Sequence, residues 1–144
     1  VPSNVIYLED SGVEIEGLKF YGTPVQKIFC NWAFNRPEEK LEQYYAAIPD
    51  DTDILITHNP PHTIGDLVPS HGGMEGSPSL RREVVERIKP LVSAFGHIHE
   101  GRGIYTIDVI TFINSSNLDD NYDCVFNPIV IEIDINRNVL IINQ

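Results

Sequence analysis

The sequence predicts an α/β (α+β) domain in which helices cover one face of a sheet and a second sheet packs behind it. Three observations carry this expectation. The middle of the chain reads as strand–helix–strand, with strands of continuous apolar residues. Both ends read as alternating, hairpin-like strands. The 144 residues, 42% apolar and 22% charged, suit one globular domain with a substantial core.

Taken in order, Val5 to Leu8 is a strand candidate. Val13 and Ile15 alternate with Glu14 and Glu16 as in a half-exposed strand, and Gly17 turns the chain into Leu18–Tyr21, its hairpin partner. Gly22 and Pro24 end that strand. A helix follows: Asn35 can cap it, Pro37 fits its first turn, and Glu38 and Glu39 suit the positive end of its dipole. Leu41, Tyr44, Tyr45 and Ile48 lie on one helical face, and Pro49 stops the helix. Residues 54–57 (ILIT) form a short apolar run expected to be buried on both faces, with His58 immediately after it. A polar loop rich in Gly, Pro and Ser runs from Asn59 to about Ser79, long enough to suggest a function. A second helix spans Leu80 to Ile88 and presents Leu80, Val84, Val85 and Ile88. Leu91 to Phe95 is the next buried strand, closed by Gly96 before His97. Tyr105, Ile107 and residues 109–113 suggest further strands. Ile129–Ile135 and Val139–Ile142, joined by Asn136, Arg137 and Asn138, form a terminal hairpin.

The net charge of −11 repels nucleic acid and anionic membranes, so neither is expected as a partner. No apolar run approaches the ~18 residues of a membrane span. No secretory leader is visible, and Val1 rather than Met leaves room for residues upstream. Cys30 and Cys124 form neither a disulfide framework nor a CxxC pair, which fits inert thiols in a reducing, cytoplasmic compartment.

His58 stands in Thr57–His58–Asn59–Pro60–Pro61, and His97 and His99 in Gly96–His97–Ile98–His99. Each motif follows a buried strand, where α/β sheets place their chemistry. Neutral imidazole is a common ligand for zinc, iron and manganese. In extended chain, His97 and His99 face one side. Gly96 is expected to take a backbone conformation that other residues resist, and the two prolines stiffen the chain after His58.

THNPP and GHIHEGRG resemble the last two metal motifs of the calcineurin-like metallophosphoesterases. Residues 4–24, 31–37, 48–62, 89–103 and 111–117 resemble a branch of that family found in animal brain and in microbes. The resemblance covers nearly the whole chain and implies that residues 1–144 are the C-terminal half of such a domain. The intact fold it implies is a four-layer α-β-β-α sandwich, two packed mixed sheets flanked by helices. It further implies two divalent ions (Mn, Fe or Zn), with His58 and His97 on one and His99 on the other. A phosphate ester, a nucleotide among the candidates, would be hydrolysed there by a water shared between the ions.

The family's Asp-x-His, bridging Gly-Asp and Gly-Asn-His motifs are absent from these residues, and Gly65–Asp66 stands in the wrong order. No catalytic residue is therefore identified in this chain, and at most one ion is expected to bind, weakly, to the chain alone. The expected partner is the missing N-terminal half or a second copy, since a half-sandwich leaves strand edges unpaired. The nearby residues keep two readings each. Asn59 is a candidate for the substrate or the metal surroundings. Glu100 orients a histidine or faces solvent, and Arg102 meets phosphate or the surface. Asn114, with Ser115 and Ser116, belongs to the site or caps the chain. His62 sits at most on a pocket rim, and His71 is exposed and idle. Trp32 and Phe34 fill core or pocket wall, or stack on a base. Three functions remain open: a hydrolase as the intact protein, a metal- or nucleotide-binding module, and an inactive fragment.

Overall fold

A computed structural model describes residues 1–70 and 72–143, so the expectation for His71 lies outside the described residues. The strands are β1 (Ser11–Ile15), β2 (Leu18–Thr23), β3 (Gln26–Lys27), β4 (Asn35–Arg36), β5 (Ile54–Thr57), β6 (Leu67–Val68), β7 (Gly73–Met74), β8 (Val92–Phe95), β9 (Gly103–Ile107), β10 (Ile110–Asn114), β11 (Val130–Ile133) and β12 (Val139–Asn143). The helices are α1 (Glu38–Ala46) and α2 (Pro78–Arg82), the latter running on as a π-helical stretch Glu83–Ile88.

Among the described residues, six strands form one mixed sheet in the order β1-β2-β5-β8-β10-β9. The inner pairs β2–β5, β5–β8 and β8–β10 are parallel, and an antiparallel hairpin closes each edge. Alternation along the strands sorts the core into two clusters. On one face, Tyr21, Leu55, Phe95 and Phe112 pack under Leu41 and Tyr45 of α1, Ile48 just past its end, and Leu80, Val84 and Ile88 of the second helical segment. The helical periodicity expected for Leu41–Ile48 and Leu80–Ile88 is what this face uses. On the other face, Ile54, Val92 and Ile113 pack with Ile131, Ile133 and Val139 of the β11–β12 hairpin. The architecture is therefore an α/β sandwich, and in this chain the layer behind the sheet is that two-stranded hairpin.

The hairpin is too small to cover the sheet. Ile56 points to its face and stays 43% exposed, so β5 is not buried on both faces along its whole length. Val5, Ile6 and Tyr7 are exposed and form no strand. The second helix is not a uniform α-helix. The Lys89 N–H donates to Val84 O, five residues back, and Lys89 adopts a left-handed conformation that ends the widened turn. Among the described residues, no helix is long and apolar enough to cross a membrane, which says nothing of membrane-spanning strands.

Candidate metal centre

The C-terminal ends of β5, β8 and β10 converge on one side of the sheet, and the histidines follow two of them. His58 leaves β5 directly, and the Gly96 N–H donates to His58 O, tying the two histidine loops together behind their side chains. His58 Nε2 then lies 3.1 Å from His97 Nδ1. Two nitrogens at that spacing, each ~2.1 Å from a shared cation, subtend about 95° at it, an acceptable angle for cis ligands. Burial, and then the neighbouring imidazoles of His58 and His99, push the His97 ring down to about 4. Burial, followed by His99, also lowers His58. Both rings are therefore neutral at pH 7, the state a metal ligand needs.

The unusual backbone belongs to His97, not to Gly96. His97 has φ 71, whereas Gly96 has no left-handed φ and space for a side chain beside Ser116. A non-glycine residue in that region costs on the order of 1 kcal/mol and persists only where the surroundings hold it. Ile98 then returns to extended backbone and is buried. His97 and His99, on either side of it, both line a cavity of about 470 Å³ with His58. His99 Nδ1 lies 2.7 Å from Asp119 O. A proton donated there leaves Nε2 as the open lone pair.

Asn114 braces this arrangement. It is fully buried at the end of β10, and its Nδ2 donates to Ile98 O (2.7 Å), between the two histidines, and to Gly65 O (3.0 Å) in the long loop. Its Oδ1 accepts from Ser116 N and Ser116 Oγ. The two loops touch so closely that a Cβ on Gly101 would lie 2.0 Å from Gly65 O. The long loop is held from within by Asp66, whose carboxylate accepts from the N–H groups of Thr63 and Gly76.

The other candidates sit as follows. Asn59 is fully buried and lines the cavity; its Nδ2 donates to Pro60 O, and its Oδ1 has no hydrogen-bond partner among the described residues. Glu100 is exposed at the cavity rim, in the 3₁₀ turn His99–Gly101. Arg102 turns to a neighbouring cavity, where it donates to Ser116 O and Asn127 O and lies over the Phe126 ring. His62 is not among the residues lining the histidine cavity; its ring lies 3.5 Å from Asp66. Sequence reading did not single out Phe29 or Tyr122, which line the cavity, and it read Asn35 as a helix cap, whereas Asn35 braces the loop that carries Phe29. No local pattern marks them, because their partners are distant in sequence or are other loop residues.

Among the described residues, no group of three or more His, Cys, Asp or Glu side chains is arranged to hold a metal ion. His58 and His97 fit as two ligands of one cation and His99 as a ligand in the same cavity. The residues thus fit a share of a metal centre, not a complete one.

This fold, with histidines at adjoining parallel-strand ends, is consistent with a calcineurin-like metallophosphoesterase fragment. No family model matches the chain. The human and mouse proteins named metallophosphoesterase domain-containing protein 1 are each 41% identical over 137 residues, covering 94% of this chain and 42% of each relative. A UPF0046 protein of Caenorhabditis elegans is 39% identical over 135 residues, 92% of this chain and 34% of that protein. A solved crystal structure at 17% identity shares the fold, with a TM-score of 0.54 over 75% of this chain and 44% of its own. The chain is similar to these proteins along more than nine tenths of its own length, as a fragment of a metallophosphoesterase is, and spans less than half the length of each.

Proposed function

We propose that this chain supplies the histidine side of a two-metal centre that hydrolyses phosphate esters, and that a second polypeptide segment completes it. The observation that carries the reading is the pair His58 Nε2 and His97 Nδ1, 3.1 Å apart and both held neutral at the ends of parallel strands. His58 and His97 would hold one divalent ion (Mn, Fe or Zn) and His99 Nε2 the second, with Asn114 fixing the loop between them. When bound, such ions neutralise charge on phosphoryl oxygens and acidify a water molecule. They would also supply the positive potential that a chain of net charge −11 lacks.

The bridging carboxylate and the general-acid histidine come from the partner segment, the N-terminal half of the domain or a second copy. The half-exposed Ile56 on the back of the sheet offers that segment an apolar surface. The chain by itself takes up at most one ion and turns over little substrate. The substrate is a phosphodiester or phosphomonoester, with nucleotides inside that class.

Metal content of the parent and of His97→Ala and His99→Ala, measured by mass spectrometry, tests the ligands. Unchanged stoichiometry in His97→Ala defeats the assignment. Robust metal-stimulated turnover of bis-p-nitrophenyl phosphate by the chain alone defeats the division of the site between two segments.

A further inference from the structure

We propose that Phe29 and Trp32 form an aromatic subsite beside the histidines, taking the planar aromatic ring of a phosphate ester's leaving alcohol. This rests on the phosphate-ester reading above and adds a substrate class to it. Both side chains line the histidine cavity, and both remain close to half exposed, at 44% and 49%. They are nevertheless packed against each other and against His97. The two rings meet edge to face with centroids 5.1 Å apart, and each meets the His97 ring edge to face, at 5.3 Å for Phe29 and 6.4 Å for Trp32.

The loop that carries them is stapled by one side chain. Asn35 Nδ2 donates to Phe29 O (3.0 Å) and Cys30 O (3.2 Å), while its Oδ1 accepts from Phe29 N (3.3 Å) and Gln26 Nε2 (2.9 Å). Large rings left half in water forgo the burial that a core position gives them. Here the loop holds two such rings next to the candidate metal ligands, an arrangement prepared to receive a flat apolar group. Tyr122 meets the His99 ring edge to face at 5.1 Å and lines the same cavity. At about 470 Å³ the cavity has room for a phosphoryl group and a ring together.

Trp32 is the chain's single tryptophan, so its indole N–H signal reports on the subsite directly. The full chain is titrated with phenyl phosphate and with methyl phosphate, with and without Zn²⁺, while metal uptake is measured separately. Phenyl phosphate is expected to half-saturate the Trp32 shift at a concentration at least about fivefold lower, the low end of what ring stacking contributes. In Trp32→Ala, followed by calorimetry, phenyl phosphate affinity falls to that of methyl phosphate. Phe29→Leu keeps the bulk and the Trp32 reporter, and it lowers the preference. Equal affinities in the parent, or a preference kept in both variants, overturn the proposal. Zinc uptake without aryl preference leaves the metal reading standing and removes the subsite. Aryl preference without zinc uptake does the reverse. Self-association that buries Trp32 and disappears in Trp32→Ala also overturns the proposal, because the rings then belong to a protein interface.

Discussion

Asn114→Ala tests whether the histidine loop is held by a buried amide. The substitution removes four hydrogen bonds at once, to Gly65 O, Ile98 O, Ser116 N and Ser116 Oγ. At about 1 kcal/mol net for each, the loss is about 4 kcal/mol, and the small cavity left behind adds to it. A domain of this size gives up roughly 3 °C of Tm per kcal/mol, so about 12 °C is expected, a large part of an ordinary stability margin. Urea denaturation followed by Trp32 fluorescence measures the free energy, and the imidazole signals of His97 and His99 report the loop. Asn114→Asp keeps the volume and the Ser116 contacts but turns a carboxylate oxygen toward two carbonyls. It should destabilise by a comparable amount without a cavity, which isolates the hydrogen bonds. A loss under about 1 kcal/mol with unmoved histidine signals would refute the reasoning.

Three further outcomes follow from the same geometry. Gly101→Ala drives a Cβ into Gly65 O, whereas Gly17→Ala meets nothing within 4 Å, though its φ is 79. Calorimetry should show more than about 2 kcal/mol lost at Gly101 and about 1 kcal/mol at Gly17. In metal-free protein the unfolded imidazoles take up protons near pH 6.5, but folded His97 does so only at about 4, so the unfolded state binds more protons between those values. The corresponding stability is complete above about pH 6.5 and is lost as pH falls toward 4. It amounts to roughly 1–2 kcal/mol once solvent screening is allowed for, read from urea midpoints at stepped pH. Ile56→Ser, on the half-exposed back face, should cost under about 1 kcal/mol in this chain, while Leu55→Ala, fully buried beneath the helices, costs about 3 kcal/mol by denaturant melts.

The layers and the histidine positions were legible because short-range patterns specify them. Alternation at residues 13–21, the helical face Leu41–Tyr45–Ile48 and the apolar runs before His58 and His97 each depend on neighbours within a few residues. What was not legible depends on contacts made across the fold. Asn35 has the chemistry of a helix cap, yet α1 begins after Pro37 without a side-chain cap, and Asn35 staples the aromatic loop instead. Asn114 reads as a strand-end turn residue, but its partners lie 16 and 49 residues away. Val5 to Tyr7 have strand composition and find no strand to pair with.

His97 makes the same point at the site itself. A glycine beside a histidine invites the expectation that glycine takes the strained backbone. The chain instead places the left-handed residue where the imidazole must turn back toward His58, and leaves Gly96 to link the two loops through its N–H. Strain at a candidate ligand persists only if its surroundings are rigid. Here the rigidity comes from Asn114 behind the loop, while Phe29 and Trp32 meet the His97 ring edge-on in front of it. The metal reading and the aromatic reading therefore draw on one mechanical element, the loop from Gly96 to Gly101. A substitution that frees this loop is expected to weaken both ligand alignment and ring recognition together, whereas Trp32→Ala should affect recognition alone.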